Sequence, residues 1–185
     1  MMSEEERIDL IRKYGITLQG YDYQRNLMFV LPIALRAKIV VETGLAQGES
    51  TIIFLKALKL IGGHLFTYDI VDSPTAREKI AREGLDEYWT FRQMDSVQGA
   101  KLWNDGLIDL LYLDSDHSKQ HVLNELNAWH KHLKETAIIL IHDTNHPPPH
   151  PASCQGLQAA GEWIKTSGWK LINLNDPLGM AVLWK

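Results

Sequence analysis

Apolar positions change rhythm along the chain, and the change marks the elements. Ser3 and Glu6 stand at capping-box spacing, and Ile8 and Ile11 then share one helical face, which predicts a first short helix. A second helix is predicted from about Asp22 to Leu31, stopping near Pro32, because an internal proline removes a backbone donor and crowds the preceding turn. From Lys38 onward, short β-branched or aromatic runs alternate with helical stretches. Ile39-Val40-Val41, Leu65–Tyr68 and Tyr88–Met94 are strand candidates. A helix is predicted from Gly48 to Leu60, and another opens at Ser73-Pro74, with serine at the cap and proline at the first helical position. Ile108–Leu113 and Ala137–Ile141 do not alternate polar with apolar, so both should be buried on two faces, as central parallel strands are. Between them Val122, Leu126, Trp129 and Leu133 fall at helical spacing, as a parallel crossover requires. Gln155 to Thr166 predicts a further helix. Trp169–Leu174 and Met180–Trp184 then read as two closing strands, and Asn175-Asp176-Pro177 leaves no room between them for a helix, so they should form an antiparallel hairpin at the sheet edge.

Strands alternating with helices imply an α/β fold: a three-layer, doubly wound, Rossmann-like sheet of about seven strands, mostly parallel with an antiparallel C-terminal hairpin. Residues 1–36 read as an N-terminal helical segment and 37–185 as the main domain. The run His146-Pro147-Pro148-Pro149-His150-Pro151 must be a stiff, extended loop, which denies its histidines helical spacing; it is expected to face substrate.

Composition narrows the classes. Hydrophobic residues make up 45% and charged residues 23%, ordinary for a globular domain. A net charge of -4 argues against broad nucleic-acid binding. The single cysteine, Cys154, excludes an internal disulfide. The chain starts Met-Met-Ser-Glu-Glu-Glu, unlike a basic secretory signal, and no stretch approaches the roughly 20 apolar residues of a membrane span. The expectation is a cytoplasmic protein with a small-molecule substrate, without nucleic-acid or membrane partners.

In open α/β sheets ligands bind beyond the carboxyl ends of the strands, where the strand order reverses. The first such end carries Glu42-Thr43-Gly44-Leu45-Ala46-Gln47-Gly48-Glu49-Ser50. Gly44 and Gly48 lack Cβ atoms where a ligand would approach the backbone, and a helix start follows. The spacing is not the Gly-x-Gly-x-x-Gly of dinucleotide sites, and no Gly-Lys-Ser/Thr of a P-loop follows. Glu42 would repel a phosphate but suits a cation. S-adenosylmethionine (SAM) carries an ammonium and a sulfonium and no phosphate. The pattern acid-x-Gly-x-x-x-Gly-x-Ser resembles motif I of class I SAM-dependent methyltransferases. Asp69 ends the second strand, where a carboxylate can accept both ribose hydroxyls. Asp95-Ser96 follows the third, and the resemblance implies that this acid meets the adenine amino group. Acids at four successive strand ends, Glu42, Asp69, Asp95 and Asp114, support a SAM site that also uses Gly44, Gly48, Ser50 and Ser96. Trp89 and Trp103 are the tryptophans expected nearest to adenine.

Asp114-Ser115-Asp116-His117-Ser118 follows the fourth strand and His142-Asp143 the fifth, so their ends should meet. The segment Ile108–Ser118 resembles the Asp-x-x-His-Ser segment of metal-dependent O-methyltransferases, similar to those of cephalosporin biosynthesis and macrolide sugars, with a catechol O-methyltransferase-like core. Ile139–Asp143 resembles their fifth strand and second metal motif. The likeness covers about Lys38 to Asp143 and makes the main domain a methyltransferase domain. It implies Asp114 and Asp143 as metal ligands, His142 in place of a carboxylate, and His117 as base. The exchange of a carboxylate for His142 loses a charge, and magnesium prefers oxygen. Either His142 does not ligate, or the metal is softer than magnesium (manganese, iron or zinc), or the enzyme is metal-free. Asp116 is a substitute acid, or with Ser118 a helix cap.

The implied activity is methyl transfer to a small-molecule or sugar hydroxyl, with metal and His117 assisting. The pocket would be completed by the N-terminal segment, the proline loop or a second subunit. Three other readings stay open: a nicotinamide-dependent oxidoreductase, which the glycine spacing disfavours; a metal-dependent hydrolase; and a non-catalytic SAM-binding protein, which the His142 departure allows.

Overall fold

The least alternating run of the sequence forms the middle of the sheet. In the computed structural model, which describes residues 22–145, 155–175 and 178–185, the strand Ile108–Leu113 is buried at every position. With it come β1 (Ile39–Thr43), β2 (His64–Asp69), β3 (Trp89–Gln93), β4 (Ile108–Leu113), β5 (Leu133–His142), β6 (Lys170–Leu174) and β7 (Met180–Trp184). The order across the sheet is β3-β2-β1-β4-β5-β7-β6. The first five strands run parallel, and β7 pairs antiparallel with both β5 and β6. The expected hairpin is present, and its later strand takes the inner place. Met180, Ala181 and Leu183 of β7 are buried, whereas Ile172 on β6 is exposed, as a more apolar inner strand requires.

Among the described residues six α-helices cover the two faces: α1 (Asp22–Leu35), α2 (Glu49–Ile61), α3 (Pro74–Arg82), α4 (Ser96–Leu102), α5 (Lys119–Trp129) and α6 (Gly156–Ser167). On one face Met28 of α1, Phe54, Leu55 and Leu58 of α2 and Ile80 of α3 pack on Val40, Leu65, Leu110 and Leu140. On the other, Ala100 of α4, Val122, Leu126 and Trp129 of α5 and Trp163 of α6 pack on Val41, Tyr68, Leu111 and Ile139. Each such fully buried large side chain contributes roughly 1.5–3 kcal/mol, so both helix layers are held by their apolar stripes.

Two expectations change. The helix over 22–31 does not stop at Pro32; α1 runs through that residue to Leu35. Pro32 is buried, and Leu31 and Leu35 pack against the apolar layer, so burial outweighs the missing hydrogen bond. The helix ends instead at Arg36, which takes a left-handed φ of 51°. The short helix α4 was not anticipated; Asp95 caps it by accepting from the Gln98 amide at 2.9 Å. The predicted helix near Ser3–Ile11, the proline loop with His146 and His150, Cys154 and the turn residues Asp176-Pro177 lie outside the described residues. Among the described residues no helix is long and apolar enough to cross a membrane.

Candidate active site

The strand order reverses between β1 and β4, and the glycine loop lies at that point. Gly44 donates its amide to the Tyr68 carbonyl at 2.8 Å, and the Asp114 amide donates to the Thr43 carbonyl at 2.9 Å, so three strand ends are tied together. Gly44 has φ 90°, and a Cβ there would sit 2.2 Å from the Asp114 carbonyl oxygen. The chain itself therefore demands glycine at 44. At Gly48, the left-handed cap of α2, a Cβ would meet that of Ala76 at 2.9 Å. Close packing against β4 at Gly44 and against α3 at Gly48 thus requires glycine in addition to the approach of a ligand that the sequence suggests.

Glu42 points inward. Its carboxylate accepts from Ser50 Oγ at 2.6 Å, Thr51 Oγ1 at 2.8 Å and Thr67 Oγ1 at 2.8 Å, and the residue is wholly buried. Burial raises its carboxyl to about 7, against the three hydroxyl hydrogen bonds that favour the charged form. Glu42 thus clasps α2 to β2 and does not face a ligand. Asp69 accepts from the Leu45 amide at 2.7 Å and the Val71 amide at 2.9 Å, bracing the loop while its carboxylate keeps further lone pairs. Ser96 is 5% exposed and donates to the buried Glu125 at 2.6 Å, as Ser115 does at 2.9 Å. His121 joins this cluster, and its hydrogen bond to Glu125 raises its pKa. Trp103 belongs to the core, and Trp89 opens β3 at the end opposite the rim.

A cavity of about 680 Å³ opens beside Gly44. Gly44, Ser50, Asp114 and His142 line it, and α1 walls one side with Gln24 and Arg25. Asp69, Asp95 and Gly48 stand along the same rim, outside this lining.

Asp114, His117, His142 and Asp143 meet beside the cavity, which Asp114 and His142 line. His142 Nδ1 lies 3.0 Å from Asp114 Oδ1 and 3.1 Å from Asp143 Oδ1. His117 Nε2 lies 3.5 Å from Asp143 Oδ2 and 3.8 Å from Asp114 Oδ1. Donor atoms of Asp114, His117 and Asp143 all fall within 4.8 Å of one another, the spread of a cation site. Asp143 takes φ 53°, a conformation that Asp adopts more readily than most residues. Burial works against a charged His142, but the carboxylates of Asp114 and Asp143 prevail and hold its pKa up, at about 10. Asp116 stands outside the cluster: its Oδ1 accepts from the Ser118 amide, and Ser118 caps α5, so both are capping residues.

Two contributors escaped the sequence reading. Tyr112 is fully buried and donates to Asp114 Oδ2 at 3.1 Å; a phenol in a strand that is aliphatic apart from Asp109 is the available signal, since a buried hydroxyl seeks a partner. Gln24 lies 2.6 Å from His142 Nε2. Nothing in its local pattern marks it, because the contact spans the whole sheet in sequence.

A family model described as a methyltransferase domain matches residues 41–144. No curated protein matches the sequence. Solved structures share the fold. A cofactor-bound Rv0187 from MTB has TM-score 0.74 at 16% identity, with 96% of this chain and 86% of that chain covered. The O-methyltransferase from Bacillus cereus in complex with S-adenosylhomocysteine (SAH) has TM-score 0.72 at 19% identity, with 98% and 90% covered. The O-methyltransferase TomG from Streptomyces achromogenes, involved in tomaymycin synthesis and solved with SAM, has TM-score 0.72 at 18% identity, with 100% and 91% covered.

Proposed function

This chain belongs to the methyltransferase-domain family whose model spans residues 41–144, and from that premise we propose that it is a SAM-dependent O-methyltransferase acting on a small-molecule or sugar hydroxyl. The observation that carries the reading is the meeting of two carboxylates and two imidazoles beside the glycine loop. Such a group suits deprotonation of a hydroxyl held next to a methyl donor. The SAM or SAH bound to the B. cereus and S. achromogenes relatives supports the cofactor, and TomG's part in tomaymycin synthesis supports a small acceptor.

SAM, when bound, supplies an electrophilic methyl group, so the protein's task is alignment. Asp69 accepts the ribose hydroxyls, and Asp95 with Ser96 marks the adenine end. Ser50 commits its hydroxyl proton to Glu42, so its lone pairs remain for a cationic donor such as the SAM ammonium. Gly44 and Asp114 form the adjoining wall. The acceptor enters against α1, whose segment completes the pocket.

The donor set fits a divalent cation. His142 Nδ1 is sealed from solvent and lies 3.0 Å from Asp114 Oδ1 and 3.1 Å from Asp143 Oδ1. Asp114, Asp143 and His142 would hold the cation, and the mixed nitrogen and oxygen donors favour manganese, iron or zinc over magnesium. A bound cation lowers the pKa of a hydroxyl that it touches. His117 accepts the acceptor's proton, a task that suits imidazole at neutral pH. A second reading makes His117 itself a ligand, on the strength of its closeness to both carboxylates.

Mass spectrometry of the purified protein, with metal analysis and a SAH-release assay over hydroxylated small molecules, tests the function. Co-purifying SAM or SAH and acceptor-dependent SAH release are expected. Hydrolysis of esters without SAM, and no SAH release, would replace the reading by a hydrolase.

A further inference from the structure

Gln24 lies on α1, outside the segment that carries the family match, yet its side chain is buried against the candidate cation site. Its amide is held at both ends. Nε2 donates to the Gly179 carbonyl at 3.2 Å, and Oε1 lies 2.6 Å from His142 Nε2. A carbonyl has no proton to give, so the amide end facing Gly179 must be the nitrogen. The end facing His142 is then the oxygen, which can only accept. His142 must therefore carry a proton on Nε2.

With Nε2 committed to Gln24, Nδ1 is the ring nitrogen left to bind a cation. That atom faces Asp114 Oδ1 and Asp143 Oδ1 and touches no solvent. Without a cation, a proton on Nδ1 joins the ring to the two carboxylates; a bound cation would take that proton's place. Histidines that ligate metals commonly donate their other ring N–H to a neighbouring acceptor, which fixes the ring and its tautomer. Here that acceptor comes from the helix that also walls the cavity.

We propose that Gln24 is a positioning residue that fixes His142 as its Nε2–H tautomer, so that Nδ1 joins Asp114 and Asp143 as the nitrogen ligand of a divalent cation. The proposal rests on the cation reading given above. It makes α1 part of the site: docking of the N-terminal helix and cation binding favour one another, because each depends on the same amide.

The test compares the full chain with Gln24→Met and Gln24→Glu. Methionine matches the shape and cannot accept the proton; glutamate accepts it as well as the amide does. Co²⁺ is titrated into each protein in the presence of SAH and followed by calorimetry and by its visible absorption. Gln24→Met is expected to weaken Co²⁺ binding by roughly 10–100-fold, while Gln24→Glu stays within a few fold of wild type. Wild-type binding retained by Gln24→Met overturns the role of Gln24 and leaves the cation reading standing. Equal losses in both variants reduce Gln24 to a packing residue and also overturn it. A wild-type protein that binds no Co²⁺ removes the cation reading and the proposal together. Wild-type protein loaded with Zn²⁺ gives an independent readout that needs no variant: nitrogen NMR of His142 should show the proton on Nε2 and the metal on Nδ1, and the reverse assignment overturns the proposal.

Discussion

Thr67 donates its hydroxyl to Glu42 at 2.8 Å, across two neighbouring strands, and both residues are wholly buried. With Ser50 and Thr51 it holds a carboxyl that burial has raised to about 7. The folded-state value lies above that of an unfolded chain, near 4.5. The folded protein therefore binds more protons between those values, and stability falls as pH rises through that window. From pH 5 to pH 8 the loss from this one group is about 2–3 kcal/mol. Chemical denaturation at both pH values should show Glu42→Gln gaining on wild type by that amount at pH 8. An equal difference at the two pH values would place Glu42 in contact with water.

Gly44 and Gly84 both have positive φ, but their surroundings differ. A Cβ at 44 would strike the Asp114 carbonyl at 2.2 Å, whereas at 84 it meets nothing within 4 Å. Gly84→Ala should cost only the left-handed conformation, about 1–2 kcal/mol. Gly44→Ala should cost more than that, because β4 must also move, and it should lower SAM affinity. Thermal unfolding of the two variants side by side measures the gap.

Asp69 braces the glycine loop through the Leu45 amide, and the proposed SAM site assigns the ribose hydroxyls to it. Asp69→Ala should weaken SAH binding by about 1.5–3 kcal/mol, the worth of hydrogen bonds to a charged group. Calorimetry at constant pH checks it. Affinity equal to wild type would separate the ribose from Asp69.

His117 separates the two readings of its own role. As base, His117→Ala lowers turnover roughly 10²–10⁴-fold and leaves SAM and Co²⁺ affinities near wild type. As ligand, the same change weakens Co²⁺ binding as well. Parallel kinetics and titration decide.

Much of this was legible in the sequence, for physical reasons. The β4 run Ile108–Leu113 and the end of β5 lack alternation because helices cover both faces, so their central placement followed directly. The neighbouring ends then predicted that Asp114, His117, His142 and Asp143 meet. What was hidden depends on side-chain direction or on distant packing. Glu42 fits the strand-end pattern of the acids, yet three hydroxyls from two other elements turn it inward. Pro32 stops an isolated helix, but the burial of α1 carries that helix past it. Gln24 is a polar position on an amphipathic helix, and only the folded sheet brings it to His142.

Calorimetric titration with SAM and with NADH at equal ionic strength addresses the core of the account. One SAM should bind per chain, weakened by Asp69→Ala, with no heat from NADH. Saturable NADH binding with none for SAM would contradict it.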